Sequence, residues 1–186
     1  MGNVAHTRRA EIARYERAYC YPDYRLGDRR RDHITAHLSR IPKGTLLDVS
    51  TGRGEVLKVA QDLGHRQVMG TEAVFYLCNG DTVLHAYAHD LPFYDDTFDT
   101  VTMFDVMEHL LPEDTAPVCK ELARVAKKRG LLTVHNGSHR YRGEELHINR
   151  RASYEDWHEE LSAHFNTAVV RHGAEGSISE MFEVVL

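Results

Sequence analysis

The residues with the clearest chemical potential are three acids that close successive apolar runs. Asp48 stands in Leu46-Leu47-Asp48-Val49, just ahead of Ser50-Thr51-Gly52-Arg53-Gly54. Glu72 ends Val68-Met69-Gly70-Thr71-Glu72, and Asp90 lies in His89-Asp90-Leu91-Pro92. Gly52 and Gly54 allow a tight turn and a close approach of backbone to ligand. Asp48 places a carboxylate where a phosphate would otherwise sit. A dinucleotide site wants a third glycine where this chain has Leu57, and no GxxxxGK[ST] run occurs, which disfavours NAD, FAD and P-loop nucleotides. At the place of Glu72 a carboxylate takes ribose hydroxyls, and Asp90 can accept from an adenine amine with Leu91 packed on the ring. Each acid alone is a common cap or turn residue. Three in register at one sheet edge suit a ligand with ribose, adenine and a cationic centre, and no phosphate.

A second constellation follows. Asp105, Glu108 and His109 have the i, i+3, i+4 spacing that gathers side chains on one side of a helical turn. His109 suits a base, since an ordinary histidine titrates near ~6.5. The same three groups could instead hold a divalent cation. His135, His139 and His147 flank a later apolar run with Asn136 and Tyr141 among them, and His147 is the favoured substrate contact. The N-terminal part mixes Tyr15, Tyr19, Tyr21 and Tyr24 with Arg29-Arg30-Arg31. Of the 13 histidines, His33, His37, His158, His164 and His172 fall at surface positions of helices or strands. Cys20, Cys78 and Cys119 form no CxxC pair and no HExxH run occurs, so no zinc motif is present.

The elements that must position these groups alternate along the chain. Helical spacing of Ile12, Tyr15 and Tyr19 predicts a helix over 6–20, broken by Pro22 and Gly27. A second covers 28–40, with Ile34 and Leu38 on one face. Strands are expected at 45–50, 67–72, 82–88, 98–106, 131–135, 167–172 and 181–186. Between them fall a helix ending at Gly64, a short helix or turn at 73–80, a helix over 113–127, and one over 154–165 carrying Trp157, Leu161 and Phe165 on one face. This pattern predicts an α/β fold, a mostly parallel sheet covered on both faces. The 172–180 connection is too short for a parallel crossover, so the last strand should run antiparallel.

Composition narrows the classes. A chain of 186 residues fits one domain. With 28 Asp+Glu against 23 Lys+Arg and a net charge of −5, binding of nucleic acid by bulk charge is disfavoured. No apolar run approaches the ~18 residues of a membrane span. The polar start has no signal-peptide core, so no membrane partner and a cytoplasmic location with reduced cysteines are expected.

The ordered motifs resemble the class I S-adenosylmethionine-dependent methyltransferases, in the subgroup holding small-molecule O- and C-methyltransferases. LLDVSTGRGEVL is similar to the first motif, VMGTE to the second, HDLPFYDDTFDTV to the third and FDVMEHL to the fourth. GLLTVHN and ELHINRRASYEDW are similar to later segments of that subgroup. The resemblance covers about residues 43–186 and implies a single-domain, Rossmann-like, seven-stranded core there. Residues 1–42 would form a helical lid that meets the acceptor.

The resemblance also implies S-adenosyl-L-methionine as cofactor. The Gly52 and Gly54 backbone would lie along its methionine part, with Asp48 and Ser50 nearby. Glu72 would bond the ribose, Asp90 the adenine amine, and Leu91 would pack on the base. Asp105 would sit beside the methyl-donating centre, while Tyr24 or Arg29 closes from the lid. Ser50 departs from the family's usual first glycine. Asp105, His109 and His147 are the catalytic candidates. Ubiquinone-biosynthesis O-methyltransferases carry Glu-x-x-Glu-His with magnesium where this chain has Asp105, Glu108 and His109. Because metal-free relatives share a similar string, no metal is assigned.

The function expected is methyl transfer to O or N of a small molecule or metabolite. A nucleotide or nucleic-acid methyltransferase is the alternative within enzymes, although FDVMEH lacks the [DNS]PP[YF] of amino-directed enzymes. A non-catalytic S-adenosylmethionine-binding accessory subunit is the other, and Ser50 lends it weight. The cofactor fold uses nearly the whole chain. The acceptor must then be met by the N-terminal residues, the 136–153 loop and a homodimer partner, which disfavours a large polymer target.

Overall fold

The computed structural model describes residues 7–165, 167–172 and 180–186. Two helices, α1 (Arg8–Tyr19) and α2 (Asp28–Arg40), precede β1 (Thr45–Val49), α3 (Glu55–Asp62) and β2 (Arg66–Glu72). Then come β3 (Val83–His85), β4 (Phe98–Phe104), α4 (Thr115–Val125) and β5 (Ala126–Val134). A small hairpin, β6 (Arg140–Tyr141) with β7 (Glu144–Glu145), leads to α5 (Tyr154–Phe165), β8 (Val169–His172) and β9 (Glu180–Val185). Seven strands form one sheet in the order β3-β2-β1-β4-β5-β9-β8. β9 pairs antiparallel with both its neighbours, while the other pairs are parallel. This is the expected single-domain, Rossmann-like α/β sheet with an antiparallel last strand.

The apolar runs explain the layers. Successive strand residues face opposite sides of a sheet, and Leu46 and Leu47 divide accordingly. Leu47 joins Val101, Met103, Leu132 and Phe182 beneath Leu122 of α4 and Trp157 of α5. Leu46 joins Ile34 and Leu38 of α2 and Val56 and Ala60 of α3. The chain leaves β1 for β2 on one side and returns to β4 on the other. A crevice therefore opens at the carboxyl ends of β1 and β4, the usual ligand position in such sheets.

Three local expectations are corrected. The third strand is Val83–His85 rather than 82–88, because the chain then turns and pairs Tyr87 with Asp90. The helix expected over 113–127 begins as a 3-10 turn at Pro112–Asp114 and stops at Val125, where Ala126 already pairs with Phe98. The expected 136–153 loop contains a hairpin at 140–145. Arg142 and Gly143, both with positive φ (48° and 88°), supply its two-residue turn. The 173–179 part of the last connection lies outside the described residues. Among the described residues, no helix is long and apolar enough to cross a membrane.

Candidate active site

The glycine turn begins as β1 ends. Ser50, Gly52 and Gly54 adopt positive φ (59°, 58° and 75°), which swings the chain from β1 into the start of α3. Glu72, at the end of neighbouring β2, clamps this turn. Its Oε2 accepts from the Gly52 amide (2.8 Å) and its Oε1 from the Val74 amide (2.9 Å). Burial pushes the Glu72 carboxyl above its ordinary range. A Cβ at position 52 would collide with the Tyr19 hydroxyl, so this α1 tyrosine packs where only glycine leaves room. Asp48 is buried behind the turn and accepts from the Thr102 hydroxyl at 2.6 Å. Burial, and then the nearby Glu72 charge, push its carboxyl up to about 7.

Two cavities open on this crevice. The first, of about 180 Å³, runs from Glu72 and Val74 past Tyr87 and Ala88 to Tyr15 of α1. The second, of about 350 Å³, runs from Asp48 and Gly52 to Glu108 and the ring of His135, His139 and His147. Tyr19, Tyr24, Ser50, Phe104, Asp105 and His109 line both. Together they reach the size of small-ligand sites, about 300–1,000 Å³.

The turn after β4 supplies the second cavity's chemistry. Asp105 sits in a left-handed conformation (φ 55°) and is gripped by the Arg30 guanidinium of α2. Glu108 is fully buried. Its Oε1 accepts from the His135 amide at 2.8 Å, whereas Oε2 has no partner. His109 Nδ1 donates to the Leu146 carbonyl at 3.0 Å, and its ring meets those of Tyr15 and His147 edge-on. Burial, then the neighbouring His147, push the His109 imidazole down to about 3. Burial likewise lowers His147 to about 4. Both imidazoles are therefore neutral near pH 7, and His109 has little driving force as a base.

The crevice brings together Asp48, Ser50, Gly52, Glu72, Asp105, His109, His147 and Tyr24 of the anticipated residues. Gly54 serves as the start of α3. Three others sit elsewhere. Asp90 is exposed, and Leu91 belongs to the core, its amide held by Glu121 (2.8 Å) and its carbonyl by Arg124 (3.0 Å). These α4 contacts draw residue 91 inward, and the cavity wall here is Tyr87, Ala88 and His89. Arg29 is exposed, and Arg30 faces inward in its place. The sequence offered no means of choosing among three consecutive arginines. Tyr19 is a further wall residue that spacing alone did not single out.

The comparisons agree with this architecture. Residues 47–134 match the model of a family described as a methyltransferase domain. No curated protein matches the chain. Among solved structures, it is similar to a Pyrococcus horikoshii OT3 protein, at 16% identity and TM-score 0.70 over 92% of this chain and 98% of that one. It is similar to Burkholderia thailandensis 1,6-didemethyltoxoflavin-N1-methyltransferase, solved with S-adenosylhomocysteine, at 17% identity and TM-score 0.69 over 100% and 92%. A methyltransferase from Aquifex aeolicus described as dependent on S-adenosylmethionine gives 18% identity and TM-score 0.64 over 97% and 99%. The crevice therefore lies largely within the segment that matches a methyltransferase domain, in a chain that shares the fold of these solved structures.

Proposed function

We propose that the chain transfers the methyl group of S-adenosylmethionine to an oxygen or nitrogen of a small molecule. The observation that carries this reading is the wall shared by the two cavities at Ser50, Phe104 and Asp105. A donor in one cavity would meet an acceptor in the other at that wall. The first cavity sets the buried Glu72 carboxylate beside Val74, Tyr87 and Ala88, a pairing that fits a ribose diol next to a purine. Aromatic Tyr19 and Tyr24 and the acidic Asp105 suit a sulfonium.

Methyl transfer is an in-line displacement, so alignment of donor and acceptor supplies much of the acceleration. A base matters only when the acceptor must lose a proton. In this reading residues 1–42 form a lid over a core of 43–186, and the histidines at 109 and 147 face the acceptor. A cytoplasmic location and a homodimer accompany it, the latter open to test by light scattering.

The test is calorimetry with S-adenosylmethionine, followed by incorporation of labelled methyl into metabolite, protein and oligonucleotide pools. Label in the metabolite fraction is the expected result. Label in oligonucleotides would favour the nucleic-acid alternative. Binding without transfer to any pool would favour an accessory subunit, and absence of binding would overturn the reading.

A further inference from the structure

We infer that His33 and His37 of α2, with His172 of β8, form a binding site for a transition-metal ion that favours imidazole, such as Zn²⁺. Each of these histidines falls at an ordinary surface position by sequence, and the fold brings them together. None of them belongs to the crevice, so the site stands apart from methyl transfer.

The helix supplies two ligands. His33 and His37 are four residues apart, so they lie one above the other on α2. Their Nε2 atoms are 2.9 Å apart, one ring donating its proton to the lone pair of the other. Ile34 and Leu38, fully buried beside them, lock the phase of the helix and keep both imidazoles on one flank. Two nitrogens on a tetrahedral zinc, at bonds of about 2.0–2.1 Å, stand about 3.3 Å apart. A small side-chain movement therefore admits the metal.

Strand register supplies the third. His172 pairs with Met181 of β9, and paired residues share a face of the sheet. Met181 packs in one cluster with Ile34 and Leu38, so that face is the one α2 covers. Ring centroids are 4.7 Å apart for His33 and His37 and 5.9 Å for His37 and His172. Rings bound to one tetrahedral metal sit about 5 Å apart, between those two separations. A rotation of His172, the exposed member, closes the set.

Glu183 follows Met181 by two residues on the same face. Its Oε2 accepts from His172 Nε2 at 3.2 Å, and Arg129 Nη1 donates to its Oε1 at 3.4 Å. The proton of His172 is thereby held on Nε2, which leaves Nδ1 with its lone pair. A carboxylate behind an imidazole is the outer partner that orients a metal-binding histidine and raises its basicity.

The rings are in their binding form at neutral pH. Burial, then the neighbouring His33, His172 and Arg40, push the His37 imidazole down to about 4. Burial, then Arg30, lower His33. When a metal enters, the proton shared by the two Nε2 atoms moves to Nδ1 of its own ring, so both Nε2 lone pairs are donated and no proton is lost. Three nitrogens suit Zn²⁺ and disfavour Mg²⁺ and Ca²⁺, which take oxygen ligands. Glu183 supplies a negative charge next to the metal. The occupied site would clasp α2 to β8, the strand that ends the sheet.

The test uses the untagged full chain stripped with a chelator. Glu108, His109 and His147 also bring donor atoms within 4.8 Å of one another, so the titrations run in a His147→Ala background. Zinc and magnesium chlorides are titrated separately near neutral pH by calorimetry and thermal unfolding, with bound metal measured by elemental analysis after dialysis. The expected result is one equivalent of Zn²⁺, a higher Tm with Zn²⁺, and no response to Mg²⁺. Loss of even an outer partner costs a metal site about 10–100-fold in affinity, so His37→Ala and His172→Ala should each cost at least about tenfold. Unfolding without metal checks that each variant folds, and His33→Ala replaces His37→Ala if that variant does not. Absence of bound zinc, or an affinity unchanged in a folded helix variant, would overturn the site. A zinc-induced rise in Tm that persists in His172→Ala would overturn the clasp, and its loss would support it.

Discussion

Arg30 and Asp105 join α2 to the candidate crevice. The Arg30 guanidinium grips the Asp105 carboxylate, and the Thr133 hydroxyl completes the arrangement, accepting from Arg30 Nη2 (2.8 Å) and donating to Asp105 Oδ1 (3.0 Å). Both side chains are mostly buried, at 16% and 27% exposure. The pair sits where the two cavities meet, so it fixes α2 against the turn after β4.

Arg30→Met should strand a partly buried carboxylate. Allowing for partial solvent screening, the cost should be about 1–2 kcal/mol, several degrees in Tm for a chain of this size. Arg29→Met, at an exposed neighbour, should change nothing measurable. Thermal unfolding of the two variants separates the roles of adjacent arginines, and equal losses would refute the assignment.

Gly52 and Tyr19 make a second pair whose coupling can be measured. A methyl at position 52 would collide with the Tyr19 hydroxyl, and φ of 58° adds strain. Gly52→Ala should cost about 2–3 kcal/mol, part collision and part backbone. Removing the hydroxyl in Tyr19→Phe should return about 1 kcal/mol of that loss in the double variant. A double-mutant cycle by urea unfolding reads the coupling, and strict additivity would mean that α1 is not seated on the turn.

Much of this fold was legible because periodicity reports which face is buried. The seven strands and the antiparallel β9 follow from run lengths and one short connection, whereas the strand order came only with the structure. The site was legible where motif and backbone coincide, as at Gly52 and Glu72, because strand ends fix those positions. It was not legible where tertiary contacts choose between neighbours. Arg30 rather than Arg29 faces Asp105 because of helix phase against the sheet, a difference of one residue. Leu91 turned inward because Glu121 and Arg124 hold its backbone, contacts about thirty residues distant. The union of His147 with Glu108 depends on the hydrogen bonds of 148 and 149, which no local pattern encodes.

Ser50 holds a backbone conformation that favours glycine, with φ of 59°. Ser50→Gly should relieve strain at some cost in unfolded-chain entropy, leaving stability equal or raised by up to about 1 kcal/mol. Ser50→Val, β-branched at positive φ, should lose about 2 kcal/mol. If calorimetry shows tighter S-adenosylmethionine binding in the glycine variant, the serine restrains affinity through the turn. Tolerance of valine would show that the turn is not left-handed.

Asp48 gives stability a pH dependence of predictable sign. Its folded carboxyl keeps a proton up to about 7, whereas an unfolded aspartate loses it near 3.8. Between those values the folded state binds more protons, so the contribution of this group to stability falls as pH rises. The slope approaches about 1.4 kcal/mol per pH unit in the middle of the window. Asp48→Asn cannot titrate and still offers an oxygen to the Thr102 hydroxyl, which donates to Asp48 at 2.6 Å. Near pH 4 the two proteins should have similar stability. The asparagine variant should gain on the wild type through pH 5 and 6 and level off above about 7. Glu72 and the site histidines titrate in both proteins and largely cancel in the difference. Urea unfolding across pH 4 to 8 measures it. A difference independent of pH would show that Asp48 is ionised in the folded state and that its burial is offset by a cation.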